Sequence, residues 1–249
     1  MKTVYGIKTG QEALYAARHW NTPATHLLVM PDDRGIQSVE AAFALFVPHI
    51  DVITMPAWDC LPYDRLSPKA DVMGQRLGAL SVLQQKPQRA RVVLCNPSAM
   101  LQRLPHNNSS GVGFAKGQNV RVETMPETLS ALGFNRTLTV REPGEFAIRG
   151  DLLDLYPPHL DEPVRIAFFG DTIETMDHFD PLSQRRGDPA PSFTLSAASE
   201  VRLDATRIAQ FREGYRSAFG AAAGQDPIYQ AISEGRGFPG MEHYLPLFD

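Results

Sequence analysis

No apolar run in this sequence approaches the ~18 residues that a membrane-crossing helix requires, which argues against a transmembrane segment. Met1-Lys-Thr-Val-Tyr-Gly6 lacks the apolar stretch of a secretory signal, so export is not expected. Only 2 cysteines occur, Cys60 and Cys95, with no Cys-x-x-Cys and no paired histidines at metal-ligand spacing. A disulfide framework and a structural zinc site are therefore set aside. Two incidental thiols in a reducing cytoplasm are the simplest account. Low-complexity tracts are absent too, and so is the clustered cation excess that binding along a phosphate backbone demands. Residues 1–115 hold 11 Lys/Arg against 8 Asp/Glu, residues 116–199 hold 8 against 13, and residues 200–249 hold 5 against 7. The acidic middle segment points to a protein partner rather than DNA.

At 249 residues the chain can hold two domains, or one large one, each with its own core. In residues 1–115 helical and strand patterns alternate. A helix over Gln11–Trp20 precedes the apolar strand His26–Met30. A helix over Ile36–Val47 leads to a strand at Val52–Met55, and a helix over 70–84 leads to the strand Arg91–Cys95. This order implies a parallel, doubly wound sheet. A nucleotide-binding sheet of the P-loop kind would open with Gly-x-x-x-x-Gly-Lys-Ser/Thr. The candidate, Gly6-Ile-Lys-Thr-Gly10-Gln-Glu12, is one residue short, and Gln11 and Glu12 stand where the phosphate-binding Lys and the Mg²⁺-binding hydroxyl belong. It reads as a vestigial loop that binds no ATP. An ordinary helix start, with Thr9 as cap and Glu12 as its capping-box partner, fits the residues equally well.

The loop Pro56-Ala-Trp-Asp-Cys-Leu-Pro-Tyr-Asp-Arg-Leu-Ser-Pro68 is stiffened by three prolines, with Trp58 and Tyr63 as its expected anchors on the sheet. Asp59 and Asp64 form a carboxylate pair without a nucleophile or a histidine ligand nearby, so a structural loop is favoured over catalysis. A short helix is expected over Met100–Leu104, followed by a surface loop from Pro105 to Gln118.

Residues 116–199 read as a small antiparallel sheet with one helix. Strands are expected at Val120–Glu123 and Thr137–Arg141, with a helix over Met125–Leu132 that carries Pro126 in its first turn and Gly133 as its stop. The core of the segment is Gly144-Glu-Phe-Ala-Ile-Arg149-Gly-Asp-Leu-Leu-Asp154-Leu-Tyr-Pro157, then Pro163-Val-Arg165-Ile-Ala-Phe-Phe169-Gly-Asp-Thr-Ile-Glu174. Gly170-Asp171 has the length of a two-residue hairpin turn. Side chains alternate faces along a strand. Phe146 and Ile148 therefore oppose Ala147 and Arg149, and Val164, Ile166 and Phe168 oppose Arg165, Ala167 and Phe169. One face is plain core. The other offers two arginines, a small residue and an unaccompanied phenylalanine.

On composition alone the plainer reading of that second face is favoured: Phe169 under a loop and both arginines solvated or paired to an acid. Arg and aromatic side chains also supply much of the binding energy at interfaces. Asp151 and Asp154 are expected to orient the arginines, His159 and His178 to be solvated or hydrogen-bonded, and Pro189 and Pro191 to mark a linker. Beyond it, Ala205–Phe219 places Ile208, Phe211, Tyr215 and Phe219 on one helical face behind the cap Asp204, and Asp226-Pro227 opens a second helix.

The runs at 144–157 and 165–174 resemble domain 2 of the excision-repair protein UvrB. They resemble still more closely the UvrB-like module at the start of bacterial transcription-repair coupling factors (Mfd). The loop 56–80 and the segment Phe238-Pro-Gly-Met-Glu-His-Tyr-Leu-Pro-Leu-Phe248 resemble signatures of the same factors. The fold this implies is a degenerate P-loop NTPase-like α/β domain over 1–115, a UvrB domain 2-like docking domain over 116–199 inserted into it, and a returning helical segment over 200–249. The resemblance implies UvrA as partner, with Arg149, Arg165 and Phe169 as the docking residues, and recruitment of UvrA in transcription-coupled excision repair as the function. It further implies no catalysis, cofactor or metal in this segment, and no long DNA-clamping hairpin of the UvrB kind. ATP and Mg²⁺, RNA polymerase and DNA would belong to further domains, one of which masks the docking face. A UvrB-like damaged-DNA or nucleotide-binding module is the alternative.

Overall fold

A computed structural model describes residues 11–61, 64–105 and 112–248. The chain is a mixed α/β protein that divides into two compact units, residues 1–58 with 82–102, and residues 59–81 with 103–249. The first elements along the chain are α1 (Glu12–His19), β1 (Thr25–Val29), α2 (Asp33–Phe46), β2 (Asp51–Met55), α3 (Ala70–Leu83), β3 (Arg91–Cys95) and α4 (Pro97–Leu101).

In the first unit β1 and β2 both pair in parallel with the central β3, giving the order β1-β3-β2. Every residue of β3 is buried, as expected of a strand covered on both faces. Its core joins Ala13 and Ala16 of α1, Ile36, Val39 and Phe43 of α2, and Val92 and Leu94 of β3. Trp20 stacks on His26 at 4.1 Å, and burial holds the His26 imidazole below its ordinary pKa. α2 starts at Asp33, three residues ahead of the expected Ile36, because the Asp32 carboxylate caps the Gly35 N–H at 2.8 Å. α4 likewise starts at Pro97 rather than Met100, with Asn96 Oδ1 accepting from the Ala99 N–H. The degenerate glycine motif at 6–12 falls almost wholly outside the described residues.

The second unit continues with β4 (Val112–Ala115), α5 (Met125–Ala131), β5 (Asn135–Arg136), β6 (Glu145–Arg149), β7 (Leu152–Leu155), β8 (Val164–Phe169), β9 (Thr172–Phe179), β10 (Arg186–Pro189), β11 (Ser192–Leu195), α6 (Ala205–Phe219) and α7 (Pro227–Ser233). Its main sheet has six strands in the order β10-β9-β8-β7-β6-β5. Gly150-Asp151 and Gly170-Asp171 are both two-residue hairpin turns, each with its glycine at positive φ in the first turn position. Phe146, Leu153, Leu155, Val164, Ile166, Phe168 and Ile173 line one face and pack with Met125 and Leu129 of α5.

Four local expectations fail here. Val120–Glu123 is not a strand; residues 122–124 form a 3-10 turn leading into α5. The strand expected at Thr137–Arg141 lies earlier, at Asn135–Arg136, and pairs in parallel with β6, so the sheet is not wholly antiparallel. Past Thr137 the chain leaves the sheet edge and lays Val140 against Ala147 and Phe179. The loop 105–118 contains β4, and the stretch taken for a linker around Pro189 and Pro191 is two strands, β10 on the sheet edge and β11 paired with β4. Proline lacks a ladder donor, which is tolerated at an edge.

A third core gathers Phe211 and Tyr215 of α6, Ile228, Tyr229 and Ile232 of α7, and Met241, Leu245 and Phe248. Phe219, expected on that apolar face, is half exposed instead. In the same unit Gly74 of α3 lies against Pro158, where an added Cβ would stand 2.0 Å from the Pro158 carbonyl oxygen. Gly74→Ala is therefore expected to destabilise the chain by roughly 2 kcal/mol or more, although alanine is the better helix former by ~1 kcal/mol. Urea unfolding monitored by circular dichroism measures the sign.

Glu242 is buried, and its Oε2 accepts from the Ser67 hydroxyl at 2.7 Å. Burial raises the carboxyl above its ordinary 4.5, with the nearby Glu200 adding to the effect. A raised acid pKa means that the fold favours the neutral form. That contribution is complete below 4.5 and is lost as pH rises through the folded pKa. Glu242→Gln is neutral throughout, so the wild-type melting temperature should fall relative to the variant as pH is raised above 4.5.

Candidate functional site

On the second face of the six-stranded sheet, register brings Ala147, Asp154, Arg165 and Asp177 into one cross-strand row on β6, β7, β8 and β9. Asp154 sits on an inner strand with its side chain 1% exposed. A carboxylate there must be paired, because an uncompensated buried charge costs several kcal/mol, of the order of ~3–5. Two guanidiniums pair it. Arg165 donates a two-pronged fork, Nε to Oδ1 at 2.6 Å and Nη2 to Oδ2 at 2.9 Å, and Arg149 adds Nη2 to Oδ2 at 2.5 Å. The hydrogen bonds from Arg165 to Asp154 hold that guanidinium above its ordinary pKa. Arg165 also lies over the Phe179 ring at 4.6 Å and donates to the Gln184 carbonyl at 3.3 Å.

The neighbouring acid repeats the pattern. Asp177 is buried and accepts from Arg186 Nη2 at 2.7 Å. The result is a line of three guanidiniums and two carboxylates, with the acids underneath and cations towards solvent. Arg149 keeps 48% of its side chain exposed. At the turn end of β8, Phe169 is 80% exposed. Burial of the opposite face by Phe168 and Ile166 forces it there, since neighbouring residues alternate.

Arg149 and Arg165 are thus brought together on one carboxylate, and Phe169 stands on the same strand and face as Arg165, four residues along. The arginines are paired to an acid, as the plainer reading held, while Phe169 is under nothing in the described chain. Asp154 orients both arginines. Asp151 lies exposed in the β6–β7 turn. His159 Nδ1 shares a hydrogen bond with Ser196 Oγ at 2.7 Å, and burial lowers its pKa. Asp59 accepts from the Lys69 N–H and pairs with Lys69 Nζ at 3.4 Å, while Asp64 accepts from the Leu61 N–H, so both serve the loop that carries them. Trp58 fixes the loop start by donating its backbone N–H to Gln102 Oε1 at 3.1 Å; its expected companion Tyr63 is outside the described residues. No described helix is long and apolar enough to cross a membrane.

Asp177, Arg186, Phe179 and Gln184 were missing from the sequence-derived set. The signal lay in β9, where the core residues Ile173 and Met176 are three apart rather than two. That spacing marks the bulge which carries Asp177, not Met176, opposite Arg165.

Residues 112–201, which contain this face, match the family model of the UvrB interaction domain. The wider chain is similar to curated transcription-repair-coupling factors. That of Escherichia coli (strain K12) is 33% identical over 226 residues, covering 89% of this chain and 19% of the relative. That of Haemophilus influenzae is 34% identical over 227 residues, with 89% and 20% covered, and that of Myxococcus xanthus is 36% identical over 210 residues, with 79% and 17% covered. The chain is a UvrB-like module similar to part of these transcription-repair-coupling factors. It spans about a fifth of the length of the curated relatives it matches.

Proposed function

We propose that this chain docks UvrA through Arg149, Arg165 and Phe169, and so recruits the excision machinery in transcription-coupled repair. One observation carries the reading: a bare phenylalanine shares a sheet face with two guanidiniums that a buried carboxylate holds in fixed positions. Ordering flexible cations costs affinity at most interfaces; here the fold has ordered them beforehand. The name of the matched domain supports an interaction role, and the outward guanidiniums suit an acidic partner surface.

The parallel sheet of the first unit serves on this reading as a degenerate P-loop-type layer without nucleotide or metal. The docking domain, near 116–199, is inserted between it and the segment after 200. ATP-driven motion and contacts with RNA polymerase and DNA would come from other parts of a whole coupling factor.

Immobilised chain should retain purified UvrA, and Arg149→Ala should weaken retention about tenfold or more, the scale of one interface arginine. Arg149 is the cleaner target. Its loss leaves the Arg165 fork on Asp154, whereas Arg165→Ala leaves the buried carboxylate with only the half-exposed Arg149 and destabilises the sheet. Retention of UvrA unaltered by Arg149→Ala would remove that residue from the site. Retention of none by the wild-type chain would overturn the reading.

A further inference from the structure

The turn between β9 and β10 is tied directly to the arginine pair. Asp180 donates its N–H to the Arg185 carbonyl at 3.0 Å, Gln184 donates its N–H to the Asp180 carbonyl at 2.8 Å, and the Asp180 carboxylate accepts from the Ser183 N–H at 2.6 Å. Gln184 has a φ of +61°, the one positive value among described non-glycine residues. Such a conformation costs a side-chain-bearing residue free energy and persists only where its surroundings impose it. They do so here. The Gln184 amide donates to the carbonyls of Pro181 at 2.8 Å and Val140 at 2.9 Å, and its own carbonyl accepts from Arg165.

This rigid turn presents Leu182 to solvent with 84% of its surface exposed. Single exposed leucines are commonplace. What sets Leu182 apart is its mounting, a strained and cross-braced turn whose keystone binds a docking arginine.

We infer that the docking face extends past Phe169 and the arginines onto the Asp180–Arg185 turn, where Leu182 is a second apolar contact for an acidic partner surface and Gln184 positions it. The inference rests on the docking reading. Phe179, which ends β9, donates its N–H to the Pro163 carbonyl ahead of β8, so the turn lies beyond the start of β8 while Phe169 closes its end. The four residues from Arg165 to Phe169 span roughly 13 Å. Two apolar contacts therefore flank a cationic centre. The buried Asp154 and Asp177 are 1% and 7% exposed, against 48% for Arg149 and 62% for Arg186, so cations are what a partner meets. The fitting occupant is a folded surface with carboxylates between two apolar patches.

Binding of the 249-residue chain to purified UvrA by biolayer interferometry tests this, with Phe169→Ala as the reference loss and Leu45→Ser, an exposed leucine of α2, as the neutral control. Leu182→Ser is expected to weaken binding at least tenfold at unchanged melting temperature. Gln184→Gly relieves the backbone but deletes both amide bonds, two opposing effects on stability, so binding should fall threefold or more with the melting temperature only slightly changed. A residue that merely supported the fold would lose stability together with binding. Affinity should also fall as salt is raised. Leu182→Ser within twofold of wild type, with Phe169→Ala inactive, would exclude the turn from the face. Wild-type binding by Gln184→Gly with Leu182→Ser impaired would overturn the positioning role, and salt-independent affinity would overturn the acidic partner. Full binding by both Phe169→Ala and Leu182→Ser would instead remove the docking reading on which the inference rests.

Discussion

Phe169→Ala is expected to abolish UvrA retention while leaving the melting temperature nearly unchanged. The ring is 80% exposed in the free chain, so truncating it forfeits almost no buried area. Surface substitutions of that kind usually stay within ~0.5 kcal/mol of wild-type stability. At an interface the same ring would be an aromatic anchor, and loss of such an anchor costs about 2 kcal/mol or more, roughly thirtyfold in affinity. Thermal melts and calorimetric titration of the same preparations separate the two effects. Unfolding on truncation would mean that Phe169 is core after all, and unchanged affinity would take it out of the docking face.

Glu200→Ala is expected to have the largest effect on stability. Glu200 and Arg76 of α3 are both fully buried, joined by Nε to Oε1 at 2.5 Å and Nη2 to Oε2 at 3.4 Å. A buried ion pair is weak evidence of net stabilisation, since desolvation offsets most of the attraction. Removing one partner is another matter, because the buried guanidinium then loses the carboxylate that compensates its desolvation, and the loss is about 3–5 kcal/mol. Replacing both members, Arg76→Met with Glu200→Leu, should recover most of that loss. Denaturant midpoints for the single and double variants measure the difference. A single-variant loss below ~1 kcal/mol would show that the guanidinium finds other compensation.

The alternating face of β6 and β8 was legible in the sequence, because parity along each single strand follows by counting and needs no knowledge of the partner's register. So was the parallel layer, whose helices and strands alternate with clear periods. What counting could not reach were long-range partners. Nothing in the local pattern says that Gln184 braces Val140, 44 residues away, or that α3 is pinned by Glu200. The bulge in β9 defeats simple hairpin counting, which would set Met176 opposite Arg165 and leave Asp177 out. Short strands went unread for a related reason. Asn135–Arg136 and Arg186–Pro189 carry no apolar alternation of their own, and their pairing comes from the sheet edges they meet.

Hydrogen–deuterium exchange of the chain alone and saturated with UvrA tests the central claim most directly, because it locates the contact without a substitution. New protection is expected on β6 through β9 and on the 180–185 turn, with residues 11–58 and 82–102 unchanged. Protection confined to those latter residues, or none despite saturation, would contradict it.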